Sequence, residues 1–188
     1  MVEMRVRGLA VDGATRLPVV ILMDLTETRF LPIWIGVCEA DAILLALEEL
    51  KPPRPVTHDL MKALVLALDA RLVRVLVHSL EDKTETFIAN LILKRGSSPD
   101  EIEIDARPSD SIALALRLGS PIFVAEDVLA RSRVQDKAKI DKEMDDFRKF
   151  LADVKPGDFA RYDRVHDQPD QPKRDDKHEP PAPEDPKS

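Results

Sequence analysis

The sequence predicts a single α+β domain, in which a mixed, mainly antiparallel sheet is packed by helices. Segments with the two-residue period of strands occur at the start and in the middle of the chain, bounded by short turns. Segments with helical periodicity lie between them. With 188 residues, of which 44% are hydrophobic, the chain is long enough to fill one core.

Three strands are predicted before the first helix. Residues 4–11 alternate between apolar and charged side chains, which favours a half-exposed strand. Residues 18–25 are almost continuously apolar, which favours a buried one. The pair Asp12 and Gly13 between them is a turn signal. Residues 29–35 are predicted to form the third strand.

Two helices follow, separated by a proline-rich link. Residues 39–50 have apolar side chains at helical spacing and acidic ones in the first turn. The prolines of residues 51–57 end this helix, and Thr57 is predicted to cap the next one. In that second helix we expect a buried stripe formed by Leu60, Met61, Leu64, Val65 and Leu68. The outer side of its first turns is expected to carry His58, Asp59 and Lys62.

The middle of the chain returns to strands. Residues 72–80 and 86–93 flank a polar turn and are predicted to form an antiparallel hairpin. Residues 101–105 alternate, with Ile102 and Ile104 expected to point inward. This strand leads directly into the next helix.

The helix at residues 108–118 has clearly marked boundaries. Pro108 suits the first helical position, and Ser109 and Asp110 suit the first turn, where free amides and the positive helix end favour such groups. The rest of the helix is almost entirely apolar, so we expect it to be buried until Gly119 ends it.

The C-terminal part of the chain changes character. A short strand at 121–124 and a short helix at 126–131 complete the predicted domain, residues 1–131. Within residues 132–155, an amphipathic helix at 136–154 is expected to pack on its own domain, on a second subunit or on another protein. Residues 156–188 are rich in proline and charge and are predicted to be a disordered tail.

Composition limits the class of protein. No apolar segment approaches the roughly 20 residues needed to span a bilayer, and the N-terminal residues do not have a signal peptide's continuous apolar segment. Cys38, the only cysteine, excludes an intrachain disulfide and fits a cytoplasmic location; we interpret it as a small buried side chain. A net charge of −7 is not that of an ordinary nucleic-acid binder, although a local basic site remains open.

Three segments stand out together: LPIWIGVCEADAI at 31–43, RPVTHDLMKAL at 54–64 and DARPSDSIALALR at 105–117. In this order and at these spacings they resemble the bifunctional nuclease family of bacteria and plants. The resemblance covers about residues 2–131. It implies an α+β domain, degradation of both RNA and DNA, and a homo-oligomer. The positions that match the family motifs are Glu39, Arg54, His58, Asp59, Asp105, Arg107, Ser109 and Asp110.

These residue types could supply what phosphodiester hydrolysis requires. The reaction needs an activated water, compensation of charge on the phosphoryl oxygens, and help for the leaving oxygen. Imidazole is suited to general base catalysis near neutral pH, guanidinium binds phosphate, and carboxylates are the oxygen ligands that Mg²⁺ or Mn²⁺ prefers. We predict catalytic roles for His58, Asp59, Asp105 and Glu39; phosphate binding by Arg54, Arg107 and Ser109; and metal binding by Asp59, Asp105 and Asp110.

Each of these residues also has a structural explanation. The acidic and hydroxyl groups stand where helices favour caps, Asp105 and Arg107 could pair with each other, and His58 could bond a neighbouring loop. Another histidine, His78, is interpreted as structural. Two hypotheses follow: a nuclease of low sequence specificity acting on RNA and DNA, and a noncatalytic oligomeric module that regulates or binds other proteins.

Overall fold

A computed structural model describes residues 1–81 and 83–132, together with Met144, Asp145 and Lys149. Residues 1–132 form a single α+β domain in which helices pack on a seven-stranded mixed sheet, as the sequence predicted. None of the helices described in this part of the chain is long and apolar enough to cross a membrane.

One sheet contains all the strands described. They are β1 (Val2–Val11), β2 (Pro18–Asp24), β3 (Phe30–Trp34), β4 (Ala70–Glu81), β5 (Thr86–Arg95), β6 (Ile102–Ala106) and β7 (Ile122–Val124). Their order across the sheet is β3-β2-β1-β7-β4-β5-β6. Every neighbouring pair is antiparallel except β4 with β7, which is parallel. The predicted mixed, mainly antiparallel sheet is therefore confirmed.

Four of the five predicted helices are confirmed, with small shifts at their ends. They are α1 (Val37–Leu47), α2 (Thr57–Ala67), α3 (Pro108–Leu118) and α4 (Glu126–Arg131). Thr57 is the first helical residue of α2 rather than its cap; the N-cap is Val56. Helix α3 begins at Pro108 and ends at Gly119, whose φ of 66° is the left-handed conformation that glycine adopts without strain.

The main core lies between the sheet and the helices. Ile43 of α1 and Ile112 of α3 are fully buried there against strand residues such as Leu22 and Val75. Helix α3 packs against α1, α2, β4 and β5, so it is the central element of this layer. We call this side of the sheet the helix face.

The opposite side, the back face, carries a second apolar cluster. Because side chains alternate along a strand, the residues of β2 between the core positions project from the back face. This cluster contains Ala10, Val19, Ile21, Met23, Phe30 and Met144. A Cβ at Gly8 would lie 2.6 Å from Cε of Met144, so glycine leaves room for that side chain.

Most of the C-terminal predictions lie outside the described residues. Met144, Asp145 and Lys149 are helical, in line with the predicted helix at 136–154, and Met144 is buried. The rest of that helix and the predicted disordered tail at 156–188 are not among the residues that the structure describes.

The predicted inner stripe of α2 is wrong at three of its five positions. Leu60, Leu64 and Leu68 are 55%, 53% and 62% exposed. His58, which we expected on the outer side, is buried. Polar contacts explain this orientation, because Asp59 and Lys62 turn inward to bond a buried arginine of α3, described below.

Ile102 and Ile104 were also expected to be buried, and this expectation is wrong. They are 48% and 45% exposed. Both point to the helix face, but β6 is an edge strand and none of the described helices packs over it.

Candidate functional site

Three of the motif carboxylates occupy the same position in three different helices. Glu39, Asp59 and Asp110 are each the third helical residue, in α1, α2 and α3 respectively. A carboxylate at this position faces unpaired backbone amides and the positive end of the helix dipole. Each one also binds an arginine: Glu39 and Asp110 bind Arg107, and Asp59 binds Arg117.

Arg107 joins the starts of α1 and α3. Its Nη1 donates to Oε1 of Glu39 at 2.9 Å, and its Nε and Nη2 donate to Oδ2 and Oδ1 of Asp110 at 2.7 and 3.2 Å. These bonds use three of the five N–H donors of a guanidinium. The other two have no partner among the described residues, and 66% of the side chain is exposed. Arg107 therefore retains donors for a ligand.

Glu39 folds back over the start of its own helix. The N-cap of α1 is Gly36, where a Cβ would overlap Oε2 of Glu39. Glycine at this position lets the carboxylate lie close to the backbone and still reach Arg107.

His58 contacts Asp110 from the neighbouring helix. Its Nε2 lies 3.2 Å from Oδ1 of Asp110, and only 11% of the His58 side chain is exposed. Burial raises the pKa of Asp110, but hydrogen bonds from Arg107 and His58 outweigh this effect and the pKa is lowered. Asp110 is therefore an ionised acceptor. Because an ionised carboxylate only accepts, Nε2 of His58 carries the proton in this contact, and the other ring nitrogen is Nδ1.

An open cleft of about 390 Å³ borders this cluster. Its walls are the end of β3, the start of α1, the turn between β4 and β5, and the start of α3. Glu39, Arg107 and Ser109 line it. Ser109 is buried, and its hydroxyl has no hydrogen-bond partner among the described residues. Since no side chain caps α3, the amides of Ser109 and Asp110 add further donors at this end of the cleft.

Asp59 belongs to a different contact. Its Oδ1 accepts from Nε of Arg117 at 2.7 Å, and its Oδ2 accepts from the backbone amide of Val56 at 3.1 Å. The bond from Arg117 is the main reason that the pKa of Asp59 is lowered. Asp59 is thus held by a buried arginine and does not contact His58 through a hydrogen bond, although the two are adjacent in sequence.

Arg117 lies close to the candidate site, and the sequence analysis did not assign it a role. Its side chain is 7% exposed, and its Nη1 also donates to the carbonyl oxygens of Ala42 and Ala113. The signal was present: a single charge in the apolar segment ALALRL must find partners if the helix is buried.

Asp105 does not join the cluster. It lies opposite Asn90 on β5. Asn90 lies between two residues of the main core, so Asn90 and Asp105 both project from the back face. The alternative that Asp105 pairs with Arg107 is not realised either, because Arg107 binds Glu39 and Asp110.

Two other predictions concern exposed residues. Arg54 lies exposed in the link before α2 and is not among the residues lining the cleft. Cys38, interpreted as buried, is exposed in the first turn of α1, so that interpretation is wrong.

The predicted metal ligands do not converge. Asp59 binds Arg117, Asp110 binds Arg107 and His58, and Asp105 projects from the back face. Among the described residues, no three His, Cys, Asp or Glu side chains meet in a way that could hold a metal ion. This set does not fit a Mg²⁺ or Mn²⁺ site built by one chain.

The fold and the site define a class: an α+β domain with a histidine, carboxylates and an arginine gathered where helices begin beside an open cleft. The family model for the bifunctional nuclease domain matches residues 20–137, and the chain belongs to that family. It is 41% identical over 168 residues to an uncharacterized protein of Mycobacterium tuberculosis (strain ATCC 25618 / H37Rv), which covers 85% of this chain and 98% of the relative.

Plant relatives carry the family's name. The chain is 30% identical over 118 residues to bifunctional nuclease 1 of Oryza sativa subsp. japonica, and it matches the bifunctional nuclease of Oryza minuta to the same extent. The matched region is 60% of this chain and 34% of each rice protein.

Proposed function

We propose that this chain is a nuclease that hydrolyses phosphodiester bonds of RNA and DNA with little sequence specificity, working in the cytoplasm. Membership of the family and the names of the rice relatives support a nuclease-related role. The observation that carries the proposal for this chain is the bond between His58 and Asp110, next to Arg107 and the uncapped start of α3.

In this proposal the start of α3 binds the phosphate. Five donors are available there: two N–H groups of Arg107, the hydroxyl of Ser109, and the amides of Ser109 and Asp110. A guanidinium and helix amides together form a favourable environment for a phosphate anion. Contacts to phosphate carry no base information, so binding through these donors agrees with low sequence specificity.

His58 would then be the general base. Asp110 accepts a hydrogen bond from Nε2–H and so fixes the tautomer. Nδ1 takes a proton from the attacking water as the water oxygen bonds to phosphorus, the P–O bond to the leaving nucleotide breaks, and the leaving oxygen takes a proton from solvent. Arg107 compensates the charge that develops on the phosphoryl oxygens. Glu39 contributes by holding Arg107 in place rather than by touching the substrate.

The experiment is cleavage of fluorescent single-stranded RNA and DNA by purified protein, with wild type, His58→Ala and His78→Ala prepared identically. His78 is half-buried on β4 and serves as the matched control. General base catalysis contributes about 10²- to 10⁴-fold, so His58→Ala should lose that much activity while His78→Ala keeps it. Equal activity of both variants, or a wild type that does not cleave, would contradict the proposal.

One further variant and one added reagent test the predicted roles of Asp105 and of a metal ion. Asp105→Ala should retain cleavage, because its side chain projects from the back face; loss in a folded variant would restore the catalytic role predicted from the sequence. Added EDTA tests the predicted metal, and loss of wild-type cleavage would mean that a metal is held in a way that the described residues do not reveal.

A noncatalytic oligomeric module is the second candidate, and one observation favours it. Glu39, Asp59 and Asp110 all stand at helix starts and all bind arginines, which is sufficient to explain them as stabilising groups. Under this alternative, His58→Ala would lower the melting temperature and there would be no cleavage to lose.

A further inference from the structure

The cleft beside the start of α3 has the size of a site for a small ligand. Its volume of about 390 Å³ lies at the lower end of the roughly 300–1,000 Å³ range of ligand pockets. The end of β3, the start of α1, the turn between β4 and β5 and the start of α3 limit it. A strand of several nucleotides therefore has to extend beyond these walls.

The donors for a phosphate are gathered at one end of the cleft. Of the described residues that line it, Arg107 alone is basic. Its guanidinium is already bonded to Glu39 and Asp110, and two of its N–H groups have no partner in the described part of the chain. The hydroxyl of Ser109 and the first amides of α3 lie beside it. These groups suffice for a single phosphate.

The wall formed by the turn between β4 and β5 carries a negative charge. Glu85 is exposed in this turn and lines the cleft. Glu39, the other carboxylate in the lining, is paired with Arg107, whereas Glu85 makes no ion pair with a described residue. Lys83 is exposed in the same turn but does not line the cleft. A phosphate that follows the strand over this turn would therefore be repelled by Glu85.

This distribution of charge differs from that of a protein that binds long single strands. Such proteins have a positively charged groove that follows the sugar-phosphate backbone. Here the net charge of the chain is −7, and Arg54, the other motif arginine, is not among the residues that line the cleft. The described lining thus offers one phosphate contact and no continuation of it.

We propose that the substrates of this site are short oligonucleotides, down to dinucleotides, and that Glu85 sets this length by repelling the phosphate next to the one that Arg107 binds. A dinucleotide then makes every phosphate contact that the site offers. The proposal rests on the proposed function, because it concerns the length of strand that the same active site accepts.

The first test compares kcat/KM of wild type for UpU, which has a single phosphate, and for a ten-residue strand of uridylate. Hydrolysis of UpU gives uridine and uridine monophosphate, which chromatography separates. We expect the two values, each divided by the number of phosphodiester bonds, to agree within about 3-fold, since the strand gains no second phosphate contact. Between 50 and 200 mM salt, kcat/KM for the strand should fall only about 3-fold, as one contact requires.

Two outcomes of this test have different meanings. A larger preference for the strand, or a steeper loss with salt, would overturn the proposal and leave the proposed function standing, because the strand is still cleaved. Cleavage of neither substrate would contradict both.

The second test changes the charge of the wall, with wild type, Glu85→Lys and Glu49→Lys. Glu49 is the matched control: it is also exposed, it has the same left-handed backbone conformation, with φ of 52° against 51° for Glu85, and it does not line the cleft. Neither change touches a buried side chain, and circular dichroism checks that both variants fold.

Glu85→Lys should give the site a second phosphate contact. We expect the ratio of kcat/KM for the strand to that for UpU to rise about 5-fold, since a repulsion is replaced by an exposed ion pair. The loss for the strand between 50 and 200 mM salt should rise to about 7-fold. Glu49→Lys should keep the wild-type ratio. An unchanged ratio in Glu85→Lys, or an equal rise in both variants, would overturn the role of Glu85.

Discussion

Arg117 ties helices α1, α2 and α3 together. Its guanidinium binds Asp59 of α2 and the carbonyl oxygen of Ala42 in α1, and its own carbonyl oxygen accepts from Nζ of Lys62 at 2.7 Å. A buried cation is tolerated only when it is paired and hydrogen-bonded, and here both conditions are met.

Replacing Arg117 should therefore be costly. In Arg117→Met, the Asp59 carboxylate loses its cation and two buried carbonyl groups lose a donor, so we expect the free energy of unfolding to fall by about 3–5 kcal/mol. Denaturant unfolding measures this value. Arg95→Met, at an exposed arginine, is the control and should change stability by less than about 0.5 kcal/mol. A loss below about 1 kcal/mol for Arg117→Met would contradict its role.

The sequence predicted only some of the residues that meet in the candidate site. Glu39, His58, Arg107 and Asp110 do meet, because helix starts in three separate motifs converge on one end of α3. The motifs could not reveal that adjacent residues diverge: His58 turns to Asp110 while Asp59 turns to Arg117. Which of two neighbouring side chains reaches the site depends on the rotation of α2, and that is set by tertiary contacts.

At the level of secondary-structure elements, hydrogen bonds to one buried carboxylate stabilise the turn between β2 and β3. Oδ1 of Asp24 accepts from the amides of Thr28 and Arg29, and Oδ2 accepts from the hydroxyl of Thr26 and from Nε of Arg29. Burial raises the pKa of Asp24, but these hydrogen bonds outweigh it and hold the pKa well below its ordinary value of 3.8.

This shift predicts a pH dependence of stability. Because the pKa of Asp24 is lower in the folded chain than in the unfolded chain, its stabilisation is complete above the unfolded value near 4 and is lost as the pH falls through the folded value. Asp24→Asn should cost about 1–3 kcal/mol at pH 7, since Nδ2 cannot accept from Arg29. The difference between variant and wild type should shrink as unfolding is measured at pH 4, 3 and 2. A difference that stays constant with pH would contradict this explanation.

Helix α2 demonstrates a limit of periodicity as a predictor. Its most apolar stripe was expected to face the core, but the core-facing side carries His58 and Lys62 beside Met61 and Val65. Pattern alone cannot tell a stripe that packs on the core from one that lies on the surface of the chain. A buried partner such as Arg117 lies far along the sequence and decides the orientation.

For the whole molecule, the fold class and most elements were predictable, whereas the order of the strands was not. Hairpins such as β1 with β2 and β4 with β5 follow from turn signals between adjacent segments. The two halves of the sheet are joined by β7, which pairs with both β1 and β4 from far along the chain. Such long-range pairing leaves no periodic signal in the sequence.

The molecule thus places five of its motif residues at one end of the helix layer: Glu39, His58, Arg107, Ser109 and Asp110. Strand β3 leads into α1, α3 begins beside it, and the turn between β4 and β5 closes the cleft. The amphipathic helix at 136–154 as a binding surface for another protein stays a prediction, because most of it lies outside the described residues.

The most direct test of the proposed active site compares two matched aspartates. Asp59 and Asp110 are both third residues of their helices, both bind an arginine, and both have a lowered pKa. Only Asp110 contacts His58. Cleavage rates of Asp59→Asn and Asp110→Asn on the same fluorescent single-stranded RNA, expressed per folded molecule, separate catalysis from helix stabilisation. We predict that Asp110→Asn loses about 10²-fold or more, because His58 is no longer held in the required tautomer, and that Asp59→Asn keeps the wild-type rate. Equal losses in both variants, or a normal rate in Asp110→Asn, would contradict the pairing of His58 with Asp110 as the catalytic centre.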